Sequence, residues 1–488
     1  MKPSDVSSFI TADHRKWLFP LASVEQFNRL GSDKISTFIN DKVFGPSDRL
    51  PFLRCPVEYA LKDALHLRKA LILDPLATHF LYRFALEHKT HFRLGGSPTR
   101  HVYGYGFSRG KPIDSFADYH RFRRRRQVLK REYRHFAHVD VANCFNSFYH
   151  HSIVAATEGV LGIDASQQLG QFLREINGGE SINCFPQGSY PAKVIGNWYL
   201  GFLEDSAQVR SSVMLRFIDD IALFDNSPAR LVEDVLLIQR LLATRALALN
   251  AEKTRLGRTS EMAGDADTDE IKKRLLQKRE DRQGPYDVDG EDESSTDLEE
   301  EEVEYIEGLI GHRNVAEEDV ELALSLVRDE PAIQLQLAKL VIARFPHLLK
   351  TLHAFLGHVS DPGSDIAVLI AARVRRPSCT PHELFWLARI VIDHFEWNGV
   401  ASKLLLPIYM HAASTPIVKA AILETEHTSF GFDDLRQEAL RADPVGLIGM
   451  ACIAGLRSLP KAKRNHILKY VAHSGAHVSL LCDIIHDS

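Results

Sequence analysis

Residues 213–224 read VMLRFIDDIALF. Two apolar runs of strand-like composition flank Asp219-Asp220, the pattern of a β-hairpin with adjacent carboxylates at its tip. An Asp-Asp pair in a turn is ordinarily solvated turn chemistry. Here the flanks are apolar enough to belong to a buried sheet, so carboxylates at its rim need a positive partner. A divalent ion such as magnesium is the natural one.

Upstream, residues 135–153 read HFAHVDVANCFNSFYHHSI. A short apolar alternation ends on Asp140, and an aromatic, Phe145, follows five residues later before a helical stretch. A carboxylate at a strand end can bind a divalent metal while the turn amides beside it meet phosphate oxygens. Between these two stretches lies CFPQGSYPAKVIGNWYL, residues 184–200. Its Pro186-Gln187-Gly188-Ser189 makes a tight loop into a helix, placing Gln187 and backbone amides beside an incoming nucleotide. Residues 247–257, LALNAEKTRLG, carry Lys253, suited to neutralise or protonate a leaving pyrophosphate. Phosphoryl transfer uses two metal ions about 3.5–4 Å apart. Asp140 and Asp219 are expected to bridge them, with Asp220 close by.

In this order and at these intervals the four segments resemble the palm motifs of reverse transcriptases. Upstream, Arg68-Lys69-Ala70-Leu71-Ile72 with Asp74-Pro75, and Tyr105-Gly106-Phe107 with Gly110-Lys111, resemble the fingers; the likeness spans residues 60–258. It implies a right-hand polymerase using dNTPs and two Mg²⁺ ions, with Mn²⁺ as a substitute. It groups Asp140, Asp219, Asp220 and Val141 as metal-binding residues. It puts Phe145 at the steric gate that rejects a ribose 2′-hydroxyl, and Arg68 at the triphosphate. Phe217 departs from the family's commoner tyrosine, which removes a hydroxyl without touching the carboxylates. No primer-grip hairpin is recognisable after Gly257, and no ordinary thumb.

Reverse-transcriptase palms joined to helical-repeat domains resemble the bacterial abortive-infection (Abi, AbiK-like) antiphage group. That resemblance implies a homo-oligomer making single-stranded DNA on a protein hydroxyl, in several members without a template, with the product covalently attached. Tyr103, Tyr105 and Tyr286 are the candidate primers, the first two in a glycine-rich loop and the third in a polar linker. Two other readings stay open: an RNA-templated reverse transcriptase using a dedicated non-coding RNA, and a helical-repeat scaffold with a vestigial palm.

The 488 residues are 45% apolar and 25% charged, ordinary globular values for more than one domain. Six scattered cysteines without a C-x-x-C pair suggest neither a zinc cluster nor a disulfide framework. With no leader-like N-terminus and no spanning apolar run, a cytoplasmic protein without membrane contact is expected. The net charge of -5 hides a basic run at residues 120–134 and an acidic one at 287–304. The basic run reads either as a surface for the phosphates of nascent DNA or bound RNA, or as a solvated helix face or a mate for the acidic run.

Residues 1–258 are expected to form α+β fingers and palm, and 259–302 a polar, acidic linker with one charged helix at 270–282. Residues 303–488 are expected to form an all-α, HEAT-like repeat domain. Helix starts are read at Glu330-Pro331, Asp361-Pro362, Thr380-Pro381, Thr415-Pro416 and Asp443-Pro444, and their spacing is that of helical hairpins.

Overall fold

The computed structural model describes residues 3–181, 185–261, 270–282, 298–328, 330–358, 363–397, 399–427 and 432–488. Among the described residues ten strands are formed: β1 (Val57–Leu61), β2 (Leu67–Leu71), β3 (Gly96–Ser97), β4 (Arg100–Tyr103), β5 (Phe107–Ser108), β6 (Lys111–Pro112), β7 (His135–Asp140), β8 (Val213–Phe217), β9 (Asp220–Asp225) and β10 (Arg255–Arg258). Six make the central sheet, in the order β10-β7-β9-β8-β4-β3. All its pairings are antiparallel except β4 with β8.

Alternation of side chains gives this sheet two unlike faces. Ala137 and Val139 of β7 are wholly buried, on the side where helix Pro228–Ala243 packs. That helix opens on Ser227, whose hydroxyl accepts the Arg230 amide, with proline next in sequence, a strong start signal. Phe136, His138 and Asp140 point to the opposite face. There helix Ser115–Glu132, which carries the basic run, lies over the sheet. Its Tyr119 and Phe122 rings meet Phe217 at 5.2 and 5.8 Å between centroids.

The fingers hairpin β1–β2 turns on Asp63, whose carboxylate accepts the amides of Leu65 and His66. Asp74 then caps the buried helix Pro75–Glu87 through the amides of Leu76 and Ala77. Beyond β10, helix Glu270–Arg282 has the bounds read from sequence but does not stand apart as linker. Its Leu275 is fully buried, and Lys272, Lys278 and Arg279 pair with Asp319, Glu302 and Glu321 of the following helices. Basic side chains on one face of this helix thus make it the first member of the helical body.

In the C-terminal body, helices pack on neighbours two places along: Pro331–Arg344 on Gly363–Val374, Pro381–His394 on Pro416–Leu423, and that helix on Leu447–Gly455. Starts at Pro331, Pro381 and Pro416 stand where the prolines predict them, and Thr380 with Glu383 forms a complete capping box. The start expected at Asp443-Pro444 falls three residues later. Asp443 instead accepts the amides of Val445 and Gly446 in a turn, and the helix begins at Leu447. Asp361-Pro362 lies outside the described residues. The five described cysteines are buried and free. Among the described residues no helix is long and apolar enough to cross a membrane.

Candidate active site

The expected hairpin is formed by β8 and β9, with Asp140 directly opposite Asp220 and Phe217 also paired with Asp220. Its turn is strained: Ile218 has φ +55°, a left-handed conformation that a β-branched residue rarely adopts. The turn is held from below by Arg216, 1% exposed. The Arg216 Nη1 donates to the Ile218 carbonyl at 2.9 Å and to Asn197 Oδ1 at 2.7 Å, while the guanidinium also forks onto Glu204. Asn197 in turn donates to the carbonyls of Tyr103 and Tyr105. The Asp219 carbonyl accepts the Val141 amide at 3.1 Å, tying the turn to the end of β7.

The segment after helix Pro228–Ala243 wraps the same end of β7. Ala142 donates its amide to Ala248 O and Asn250 donates to Asp140 O. The Asn250 side chain accepts the Glu252 amide in a turn, and Lys253 comes round to place Nζ 3.1 Å from Asp140 Oδ1. Across the strands, His138 Nε2 lies 2.6 Å from Asp220 Oδ1. Asp140 and Asp220 are therefore each turned toward a base of the chain. Among the described residues no group of three or more His, Cys, Asp or Glu side chains is gathered on one point.

Burial pushes the Asp219 carboxyl up to about 6, with the charges of Asp140 and Asp220 adding to the effect and Lys253 opposing it. A carboxylate that burial and two like-charged neighbours disfavour is one whose ionised form a divalent cation would stabilise. On these grounds a cation suits Asp219, with Asp140 and Asp220 as the charges beside it.

Beyond Asp140, the chain places Phe145 against helix Tyr190–Tyr199, where Gly196 leaves room for the ring. Phe145 and Phe148 meet edge to face at 5.5 Å. The loop before that helix turns on Gly188, φ +104°, and Ser189 caps the helix. The Tyr190 amide donates to Asp13 at 2.7 Å, so the N-terminal helix Pro3–His14 fixes the loop. Gln187 faces a small cavity with Trp17, Leu18 and the Ala70–Leu73 stretch, and its Oε1 is buried without a hydrogen-bond partner. Arg68 sits on β2 opposite Ala60.

Tyr103 lies in a strand, and Tyr105 lies in the glycine-rich loop after it but is buried. Tyr103 ends β4 in the central sheet, half-buried, with its ring 5.7 Å from Phe122. Tyr105 is 2% exposed, packed on Tyr190 with its hydroxyl accepting from Lys193 Nζ at 3.0 Å. Parallel pairing of β4 with β8, a long-range contact, draws this segment into the core. Tyr286 lies outside the described residues.

Four supporting residues escape the motif reading: His138, Asn197, Glu204 and Arg216. Two had a signal. Arg216 is the only charge inside VMLRF, and His138 stands two residues before Asp140 on the same strand face.

Residues 74–305 match the family model described as reverse transcriptase (RNA-dependent DNA polymerase), a span just under half of the chain. Over that span the chain carries a reverse-transcriptase domain, with fingers and palm followed by a largely helical region, and the protein is a nucleotidyltransferase of the DNA polymerase kind. The span takes in every palm residue named above and begins after Arg68. No curated protein matches. Among solved structures, apo telomerase from Candida tropicalis aligns at 10% identity over 79% of this chain and 70% of that chain. The TM-score is 0.33.

Proposed function

We propose that this polymerase adds dNTPs to a hydroxyl by two-metal phosphoryl transfer at Asp140, Asp219 and Asp220, in protein-primed, template-independent synthesis serving antiphage (abortive-infection) defence. One observation carries the catalytic part: the register that sets Asp140 opposite Asp220 while the Asp219 turn is bonded to Val141. When bound there, divalent ions such as Mg²⁺ activate the attacking hydroxyl and neutralise charge on the triphosphate. Asp219 and Asp140 supply the negative charge for that binding. Lys253, now against Asp140, is within reach of the pyrophosphate side of the reaction. Phe145 excludes a 2′-hydroxyl, Gln187 offers its unpartnered Oε1 to the nucleotide, and Arg68 approaches the triphosphate from the fingers.

Two features support the priming part. The face beside Asp220 is roofed by helix Ser115–Glu132, and no thumb-like hairpin follows β10 among the described residues. A free duplex is then poorly held, whereas a tethered hydroxyl has a high effective concentration. Tyrosine, with a pKa near 10, is the donor that ionises most readily among hydroxyl side chains. The burial of Tyr105 disfavours it, and no single donor is assigned. The antiphage role and homo-oligomerisation rest on the likeness of a palm joined to HEAT-like helices.

The test is incubation of nuclease-treated protein with labelled dNTPs and Mg²⁺. The expected product is DNA of random or homopolymeric sequence that stays with the protein under denaturing conditions until proteolysis. A defined sequence lost on RNase treatment would establish the RNA-templated alternative. DNA that separates without proteolysis would exclude protein priming.

A further inference from the structure

A cavity of about 470 Å³ opens beside the carboxylates on the catalytic face of the sheet. One wall is the basic helix, through Tyr119, Arg123, Arg126 and Lys130; the other is the sheet edge, through Phe136, His138 and Arg255, with Lys253, assigned above to the pyrophosphate and bonded to Asp140, at its end. Five of the lining side chains are cationic and one, Glu261, is acidic. Glu261 is engaged in capping, since its Oε2 accepts the Arg258 amide at 3.1 Å. The cavity is thus a concave positive site with an aromatic ring on each wall.

From these features we propose that the cavity grips the growing single DNA strand just behind its 3′ end. This rests on the polymerase reading and adds a residue set to it. Three observations carry it. The first is chemistry: clustered cations suit the phosphates of a single strand without regard to sequence, with Tyr119 and the largely buried Phe136 beside them.

Size is the second. Cavities of about 300–1,000 Å³ take one drug-sized molecule, which suits a nucleotide or so of one strand and not a helix. The roof is fixed at that height because Tyr119 and Phe122 pack on Phe217.

Position is the third. Phe136 and His138 share a strand face with Asp140 and step away from it at two-residue intervals, about 7 Å each. Phe145 and Gln187, assigned above to the incoming nucleotide, come after Asp140 in the chain, whereas Phe136 and His138 come before it. A strand that meets its nucleotide at Phe145 and reacts at Asp140 therefore leaves along His138 and Phe136, into the cavity. The basic helix does here what a thumb does elsewhere.

The test compares full-length protein with Arg126→Ala/Arg255→Ala, which removes charge from both walls, and with Arg124→Ala/Arg131→Ala, which removes it from the exposed side of the same helix. Binding of a fluorescein-labelled oligothymidylate is measured across a salt series, and product lengths are measured separately. Each phosphate contact to a single strand contributes about 0.7 to the slope of log affinity on log salt. The cavity variant is expected to lose about 1.4 of that slope, the exposed-face variant less than half as much, and the cavity variant to make shorter products. Equal losses in the two variants, or no loss in the first, would overturn the proposal. A lost slope with unchanged product length would overturn its assignment to the growing strand. The binding arm needs no synthesis, so an inactive wild type would count against the polymerase reading and leave the cavity to be judged by its slopes.

Discussion

At Asp219, stability and chemistry pull in opposite directions. Its carboxyl holds a proton up to about pH 6 in the folded chain, whereas an unperturbed aspartate releases it near 3.9. Between those values the folded state binds more protons than the unfolded one. Its stability therefore falls as pH rises through that window, by roughly 2–3 kcal/mol in all. Asp219→Asn cannot ionise and escapes the loss. Melting with EDTA present should show the variant and the wild type alike near pH 4 and the variant a few degrees more stable at pH 7, with nucleotide incorporation abolished. An equal difference at both pH values would mean that ionisation of a buried carboxyl is not the cause. Sugar selection is set one turn of chain further on. Phe145→Ala should admit GTP where the wild type accepts dGTP. Gly196→Ala should do so in part, because a methyl there lies 2.8 Å from Phe145 Cε1 and 3.1 Å from Phe148 Cε2 and must move the gate ring. Unchanged discrimination between dGTP and GTP in both variants would make Phe145 a packing residue.

Among the elements, what was legible in the sequence is what local pattern determines. The strand ending on Asp140, the hairpin around Asp219-Asp220 and the loop-to-helix turn at Gly188 follow from period-two apolar runs, turn residues and caps over a few positions. Tyr105 stands in the glycine-rich loop read from sequence, but its burial comes from Tyr190 and Lys193, contacts far away in the chain that no local pattern announces. The tertiary position of helix Ser115–Glu132 was hidden for the same reason: its charge was plain, but only the Tyr119 and Phe122 contacts with Phe217 set it over the catalytic face. Arg216 is visible as the one charge in an apolar run, but its role is not, since an arginine there does not announce that it supports a turn. Its guanidinium reaches Glu204, Asn197 and the Ile218 carbonyl together, a planar fork that lysine cannot reproduce. Arg216→Lys should keep the charge and lose the geometry. A shift of the hairpin by about 1 Å is enough to lower kcat roughly 10²-fold, with KM for dNTP little changed. If kcat is intact, the strained turn holds itself, and the network below it serves only the fold.

Over the whole molecule, the two ends of the chain are joined by polar as well as apolar contacts, and this decides what the C-terminal helices are for. Glu424, 5% exposed, accepts the amides of Ala22 and Ser23 and the Ser23 hydroxyl, with Arg389 at 3.6 Å. A C-terminal carboxylate thus caps the N-terminal helix Ala22–Phe38. Phe19 inserts against Phe385 and His382. Further along, Gly31 interrupts that helix where a Cβ would strike the Ile484 side chain at 2.4 Å. The same N-terminal region supports the site, because Asp13 holds the Tyr190 amide behind Gln187. Removing the helical body would therefore expose Phe19, strip the cap from Ala22 and Ser23, and loosen the element that fixes the nucleotide loop. Deletion from Val303 is expected to yield an aggregating or inactive fragment. Glu424→Ala probes the joint without deleting anything: Arg389 keeps Asp393 at 2.8 Å, but two helix N–H groups lose their acceptor, a loss of about 1–3 kcal/mol. It should lower Tm and raise KM for dNTP more than it alters the carboxylate site. Melting curves and steady-state incorporation measure both effects. A soluble, fully active fragment ending near Arg258 would show that fingers and palm stand alone, and that the helical body acts only on what the polymerase has made.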